Sequence, residues 1–318
     1  MFNNNPVPVI EKHCHPHINS ICNPDPYMIR HEGVYYCYTT GYNGVNVLRS
    51  DQLDAFEHMG YALSDDAWVS YWAPAVLFFD GMFYMYYSSI PKGETDDHRH
   101  YLQVAVSNSP LGPFKYEKTL YDTFSIDPHV VEKDGSLYLF YAANMATSDK
   151  IGTVIMLDKL ADPLTPQNKP CVVLSPTIDQ EIFATDRFGD GKDWYTLEGP
   201  FYFEQAGTGY LMYSGNAYTH EDYFVNYATC DASLPLEEAV FTKYPDDQSY
   251  HPLLGKDAYF TGCGHNAVIA DTQGQLYTVY HGRRRTADEA PSDLDDGRRL
   301  CISALEINGD QLILRERR

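Results

Sequence analysis

Three carboxylates occupy similar places in a repeated sequence pattern. Asp25 and Asp127 each directly precede a proline, and Glu198 lies two residues before one. Burial and a neighbouring like charge both raise a carboxyl pKa, so three acids in one small space cannot all ionise easily. Such a set can hold one protonated carboxyl as a general acid beside an ionised carboxylate that activates water. A single Asp-Pro pair usually marks only a turn or the start of a strand, so this prediction depends on the repeat.

The pattern that contains these acids recurs along the chain. Each copy has a short apolar strand, a polar turn with glycine and a second strand rich in aromatic residues. Apolar and aromatic residues bounded by glycine turns are hairpin signals. The copies begin at Cys22, Ser70, Ser125, Leu197 and Gly264.

Each copy has room for about four strands, the size of a propeller blade. The tail from Leu300 to Leu314 alternates like strands, and we expect Pro6 to Ile10 to help close the ring, because closure removes free sheet edges. The sequence therefore predicts an all-β protein in which residues 1–318 form a single five-bladed β-propeller domain. A pair of β-sandwiches is the alternative, but it does not explain repeated copies of one pattern.

The repeat also predicts which residues meet. The first strand of each propeller blade lines the central axis, so equivalent positions converge on one funnel. Trp72 and His265 each stand nine residues before their turn glycine, as Glu198 does. We therefore expect three carboxylates, one tryptophan and one histidine to share a small central space.

This set of motifs resembles glycoside hydrolase family 43, over essentially the whole chain. The motifs are Asp25-Pro26, Tyr71-Trp72-Ala73-Pro74, Asp127-Pro128, Glu198-Gly199-Pro200 and Gly264-His265-Asn266. The resemblance implies a five-bladed propeller and inverting hydrolysis of arabinose- and xylose-containing glycans. It also implies that Asp25 is the general base, Glu198 the general acid, and Asp127 a third acid that orients Glu198 and raises its pKa.

The chemistry of inversion is consistent with those roles. One carboxylic acid protonates the leaving oxygen while a carboxylate on the other face activates water, with roughly 6.5–9.5 Å between them. The acid must keep its proton near neutral pH, and a neighbouring carboxylate raises its pKa.

The resemblance implies further contacts. Trp72 would form a wall on which a sugar ring stacks, and Arg298, with Arg299 as the adjacent competitor, would lie beside the base and the bound sugar. Two roles stay open for His265: a ligand of calcium in the central channel, or a hydrogen-bonding group in the site. Calcium prefers oxygen ligands, so a lone histidine predicts it poorly. No organic cofactor is expected.

Composition excludes some partners. A net charge of −21 disfavours nucleic acid and anionic lipid, and no apolar stretch approaches the length of a membrane helix. Aromatic residues in the loops allow a homo-oligomer. An odd number of scattered cysteines and the absence of a visible signal peptide predict reduced thiols and a cytoplasmic location.

Together these features predict an exo-acting α-L-arabinofuranosidase that releases arabinose from short arabino-oligosaccharides. Insertions such as 91–100 and 218–222 would wall off one end of a groove. The alternatives within the family are a β-xylosidase and an arabinanase. The alternative from another class is a non-catalytic, sugar-binding propeller.

Overall fold

The computed structural model describes residues 7–8, 10–13, 22–147, 149–285 and 296–315. Its regular structure there is almost entirely β-strand. Two short 3₁₀ turns cover Asp97–Arg99 and Asp179–Glu181. The strands are β1 (Val7–Pro8), β2 (Ile10–His13), β3 (Tyr27–His31), β4 (Val34–Thr39), β5 (Val45–Ser50), β6 (Ala55–Leu63), β7 (Trp68–Phe79), β8 (Met82–Pro91), β9 (Tyr101–Ser107), β10 (Lys115–Tyr121), β11 (Ser125–Lys133), β12 (Ser136–Met145), β13 (Gly152–Asp162), β14 (Thr165–Pro166), β15 (Cys171–Leu174), β16 (Ile182–Ala184), β17 (Trp194–Gln205), β18 (Thr208–Gly215), β19 (Phe224–Asp231), β20 (Thr242–Lys243), β21 (Phe260–Ala270), β22 (Leu276–Arg284), β23 (Arg298–Asn308) and β24 (Gln311–Arg315).

Hydrogen bonding joins the described strands into four sheets. Their orders are β2-β6-β5-β4-β3, β10-β9-β8-β7, β11-β12-β13-β17-β18-β19-β20 with β14 to β16 at its side, and β1-β23-β22-β21 with β24 beside β23. In the largest sheet, two antiparallel groups meet through a short parallel pairing of Gly152 with Tyr195 and Thr153 with Thr196. The all-β prediction is confirmed, but the four sheets do not by themselves show five blades.

The innermost strand of each antiparallel group contacts the innermost strands of its neighbours. These contacts run from β3 to β7, β11, β17, β21 and back to β3. At the start of the chain, β1 pairs with β23 and β2 pairs with β6, so two adjacent short strands join the last and the first sheet. The inner strands therefore surround a common centre.

Tight turns explain why the repeated segments form hairpins. In four copies the two turn residues both have positive φ: Glu32-Gly33, Asp80-Gly81, Asp134-Gly135 and Ala206-Gly207. Two such residues match the right-handed twist of the flanking strands, which is why this turn favours glycine at its second position.

The aromatic residues of the second strands mainly fill the core. Tyr38, Tyr86, Tyr210 and Tyr280 are among the largest fully buried side chains. Tyrosine suits a pleated, buried surface when its hydroxyl finds a partner, as Tyr86 does at the carbonyl of Pro163. In the part of the chain that the structure describes, no helix has the length and apolar character needed to cross a membrane.

Candidate active site

The inner strands share a local irregularity that turns side chains toward the centre. Pairing is interrupted after Trp72, Ile126, Glu198 and Gly264, which leaves two unpaired residues in each of these strands. The first unpaired residue has a positive φ in every case: Ala73 (42°), Asp127 (58°), Gly199 (59°) and His265 (52°), and Asp25 has a φ of 53° in the equivalent place before β3. Bulges of this kind re-aim side chains. A left-handed residue other than glycine costs about 1–3 kcal/mol and is concentrated at functional sites.

This geometry corrects the predicted register of the fifth copy. His265 occupies the position of Asp25 and Asp127, not that of Trp72 and Glu198, where the structure places Gly264. The cause is the turn between β21 and β22, which is longer than the two-residue turns of the other copies, because Ala270 pairs with Leu276. Counting back from Gly274 therefore misplaced the histidine by one residue, although it still reaches the centre.

Asp25 lies in a polar environment beside the guanidinium of Arg298. Arg298 Nη1 donates to its Oδ1 at 3.0 Å, and Thr40 Oγ1 donates to its Oδ2 at 2.7 Å. The Nδ1 atoms of His265 and His281 lie 3.4 and 3.3 Å from Oδ1. Burial alone would raise the pKa of Asp25, but Arg298 and the two histidines outweigh it and hold that pKa well below its usual range. Asp25 is therefore ionised at neutral pH.

The pKa of Glu198 is shifted in the opposite direction to that of Asp25. Burial, with a further contribution from the charge of Asp25, raises its pKa to about 7, although the hydrogen bond from Tyr223 opposes this shift. The Tyr223 hydroxyl donates to Glu198 Oε1 at 2.6 Å. A carboxyl with this pKa can carry a proton at neutral pH and release it during a reaction.

Asp127 is buried close enough to Glu198 for the two charges to interact. Its Oδ2 accepts a hydrogen bond from the backbone N–H of Gly199 at 2.9 Å. Burial, followed by the charges of Glu198 and Asp25, raises the pKa of Asp127 well above its usual range. The two carboxyls are therefore coupled, and the pair holds a proton at neutral pH.

A cavity of about 280 Å³ opens over these groups. It is lined by all six residues that the sequence predicted for the site: Asp25, Trp72, Asp127, Glu198, His265 and Arg298. The rings of Trp72 and His100 stack 3.5 Å apart, so His100 covers one face of the indole and a sugar could stack only on the other. Arg298, and not Arg299, donates to Asp25, while Arg299 Nη1 contacts the carbonyl of Arg298.

Several residues of the site carried no signal in the sequence. Thr40 follows β4, Tyr223 precedes β19, and His281 lies in β22, all outside the inner strands that the repeat identified. Tyr218 lies in a predicted insertion, and its ring packs 4.8 Å from the Arg298 guanidinium. Thr40 and His281 each lie opposite the residue that precedes the positive-φ position, Pro24 and Gly264, so a search for polar residues at this point of the repeat could have found both.

The residues around His265 can be compared with the requirements of a calcium site. In the described ranges no group of three or more His, Cys, Asp and Glu side chains could hold a metal. A second cavity of about 10 Å³ is lined by Asp25, Asp127, His265 and Asn266, among others, and the buried Oδ1 of Asn266 has no described hydrogen-bond partner. This space has room for about one water, whereas calcium takes six to eight oxygen ligands. The cavity therefore fits a water better than a hydrated calcium ion, and calcium stays a prediction.

Curated relatives resemble this chain over most of its length. An extracellular exo-α-(1→5)-L-arabinofuranosidase of Streptomyces avermitilis is 23% identical, and the match covers 90% of this chain and 60% of the relative. An enzyme of the same name from Streptomyces chartreusis is 25% identical, with 82% of this chain and 80% of the relative covered. The chain thus spans about 60% of the first relative's length.

These relatives contradict the predicted cytoplasmic location, because both are named extracellular. The prediction depended on an odd number of scattered cysteines and on the absence of a visible signal peptide. Four of the described cysteines, Cys37, Cys230, Cys263 and Cys301, are buried. A buried thiol packs as a small apolar group and is shielded from reaction in any compartment, so the cysteine count was a poor indicator of location.

The family resemblance drawn from the motifs is confirmed. The crystal structure of a thermostable family-43 glycoside hydrolase shares 30% identity with this chain, superimposes with a TM-score of 0.77, and is matched over 95% of each chain. The family model described as "Glycosyl hydrolases family 43" matches residues 17–313. With its coupled carboxyls at the centre of an all-β fold, this chain belongs to family 43 of the glycosyl hydrolases.

Proposed function

We propose that this glycoside hydrolase is an inverting, exo-acting α-L-arabinofuranosidase that releases arabinose from short arabino-oligosaccharides. One observation carries the proposal: the cavity holds a carboxyl with a depressed pKa, Asp25, together with one whose pKa is raised to about 7, Glu198. Pairs of carboxyls whose environments push their pKa values apart divide the roles of base and acid.

Asp25 is the proposed general base. Arg298 and Thr40 each occupy one of its oxygens, which fixes the carboxylate plane and leaves lone pairs for a water. The ionised Asp25 takes a proton from this water as the water attacks the anomeric carbon. Arg298 is also placed to contact the sugar, since it lines the same cavity.

Glu198 is the proposed general acid, which donates its proton to the leaving oxygen. Tyr223 holds the Glu198 carboxyl in place through its hydroxyl. Asp127 is the proposed third acid. Its contact with the N–H of Gly199 fixes the backbone next to Glu198, and its coupling to Glu198 helps keep a proton on the pair.

Arabinose is proposed as the sugar because both Streptomyces relatives are named for it. Exo action is supported by the wall at Tyr218. Its ring packs against Arg298, and Arg283 Nη1 donates to its carbonyl at 2.7 Å. A wall beside the base and its arginine favours a cavity that accepts the end of a chain.

A single five-bladed propeller is the proposed architecture. It is supported by the ring of contacts among β3, β7, β11, β17 and β21. The positive-φ residue that recurs at the same point of each inner segment also supports it. In this proposal the largest sheet is two blades that touch through the short pairing of β13 with β17.

Hydrolysis of a panel of nitrophenyl glycosides and arabino-oligosaccharides tests the function. We expect release of arabinose as the sole monosaccharide from nitrophenyl α-L-arabinofuranoside and from the chain ends of the oligosaccharides. Asp25→Asn and Glu198→Gln should each lower kcat on oligosaccharides by about 10²-fold or more, since general acid–base assistance contributes about 10²–10⁴-fold. Release of xylose alone would refute the proposed sugar.

Glu117→Gln is the matched control, because Glu117 is an exposed carboxylate on β10. It should leave turnover unchanged. Unaltered turnover in the Asp25 or Glu198 variant would remove the proposed catalytic pair, and binding of the oligosaccharides without any hydrolysis would instead support a sugar-binding propeller.

A further inference from the structure

The strand that carries Glu198 also defines a direction along the cavity. Trp194, Thr196 and Glu198 alternate along β17, and all three line the cavity. At about 3.3 Å per residue, Trp194 lies roughly 13 Å along the strand from Glu198. If Glu198 protonates the leaving oxygen, the part of the cavity that extends from Glu198 toward Trp194 is where a leaving sugar can lie.

Arg187 lies at that end of the cavity among three aromatic rings. Its guanidinium carbon is 4.8 Å from the ring of Phe183, 5.4 Å from Phe188 and 4.9 Å from Trp194. Guanidinium groups stack on aromatic faces through cation–π attraction. These rings fix the plane of Arg187, which lines the cavity together with Phe183 and Trp194.

A histidine from another loop orients the same guanidinium. His98 Nδ1 contacts Asp96 Oδ1 at 3.0 Å, and His98 Nε2 contacts Arg187 Nη2 at 3.1 Å. The carboxylate can only accept, so Nδ1 carries the hydrogen and Nε2 accepts from Arg187. This chain of hydrogen bonds ties the segment before β9 to the segment between β16 and β17.

Most N–H donors of Arg187 have no hydrogen-bond partner among the residues that the structure describes. A guanidinium has five N–H groups, and the contact with His98 uses one of them. Among the residues that the structure describes, no carboxylate forms an ion pair with Arg187, and burial alone lowers its pKa, in a protein whose net charge is −21. A fixed, half-buried arginine beside an active site, with donors that have no described partner, is suited to bind a ligand.

We propose that Arg187 and Trp194, positioned by His98, form the subsite for the leaving sugar. Arg187 donates to neighbouring hydroxyls of that sugar, and Trp194 provides an apolar surface for its ring. The exposed ring of Phe188, of which 60% is accessible, extends the surface outward for a further neutral sugar unit. This assignment rests on the proposed function, because it takes Glu198 as the acid.

The test compares a leaving group that is a sugar with one that is not. Arg187→Met removes the donors and keeps much of the apolar stem. We expect kcat/KM on arabinotriose to fall about 10- to 100-fold, mainly through KM, as befits loss of charge-assisted hydrogen bonds. The loss on nitrophenyl α-L-arabinofuranoside should be at least tenfold smaller. Arg187→Lys should recover only part of the loss, because an ammonium lacks the planar fork.

Arg49→Met is the control. Arg49 lies on β5, in a different sheet from β17, is partly exposed and pairs with Asp51. It should leave both substrates unaffected. His98→Ala, which frees Arg187 from its tether, should produce a smaller loss with the same preference for the oligosaccharide.

Other outcomes would overturn the subsite. Equal losses on both substrates with a lower melting temperature would mean that Arg187 only fastens its loop, and no loss on either would mean that it does not contact the sugar. The loss on the oligosaccharide relative to the loss on the nitrophenyl glycoside is also measured with xylotriose and nitrophenyl β-D-xyloside. Hydrolysis of these alone would refute the proposed sugar specificity and still test Arg187.

Discussion

The hydrogen bond between Tyr223 and Glu198 allows a sharp test of the acid. In the wild type, kcat/KM should fall as the pH rises through about 7, the pKa of Glu198, because the proton needed by the leaving group is lost. The Tyr223 hydroxyl stabilises the ionised form and lowers this pKa. Tyr223→Phe should therefore move the alkaline limb to higher pH.

The size of the shift follows from the bond that is removed. A hydrogen bond to a charged group contributes about 1.5–3 kcal/mol, and one pKa unit corresponds to about 1.4 kcal/mol. Complete loss of this hydrogen-bond energy would raise the pKa of Glu198 by about one to two units. Protonated Glu198 can also accept a hydrogen bond, so we expect about one unit, which at pH 8 would raise the protonated fraction from about one tenth to about one half.

The assay is the pH dependence of kcat/KM on an arabino-oligosaccharide, which reports the free enzyme. Phenylalanine keeps the ring that stacks on His281, so the site should stay intact. Tyr280→Phe is the control, because its hydroxyl bonds Ser303 in the core, and it should leave the limb in place. An alkaline limb that stays fixed, or moves to lower pH, in Tyr223→Phe would refute Glu198 as the titrating acid.

Three further predictions concern the base, the stereochemistry and the metal. Arg298→Met should raise the pKa of Asp25, since the guanidinium helps to hold it down, so the acid limb of kcat/KM should move to higher pH and the maximum should fall; an unmoved limb would contradict Asp25 as the base. Proton NMR in the first minutes should show β-arabinose released first from an α-arabinofuranoside, whereas initial α-arabinose would indicate a retaining mechanism with a covalent intermediate. If His265 holds calcium, EDTA should lower activity or the melting temperature and added calcium should restore both; identical melting curves and activity would favour a water in the small cavity.

The sequence alone was sufficient to predict the family, the all-β class and the acids at the centre of the fold. The reason is repetition: a hairpin with the same proline and glycine positions recurs, so Asp25, Asp127 and Glu198 are recognisable as residues of one short repeated segment even though they lie far apart in the chain. Asp25 and Asp127 share one position of that segment, and Glu198 lies one position earlier. Local patterns of this kind reflect backbone geometry, such as the two positive-φ turn residues. The fifth copy shows the limit, since one longer turn shifted the predicted place of His265 by a residue.

Only the tertiary structure decided the charge state and the walls of the site. Thr40, Tyr223 and His281 act on the carboxyls from segments outside the repeated inner strands, and a pKa depends on burial and neighbours that no spacing reveals. Arg187 and His98 meet although 89 positions separate them, because packing places two loops at one rim. Residues that follow the repeat could be found from the sequence, whereas those brought in by loops and second strands required the fold.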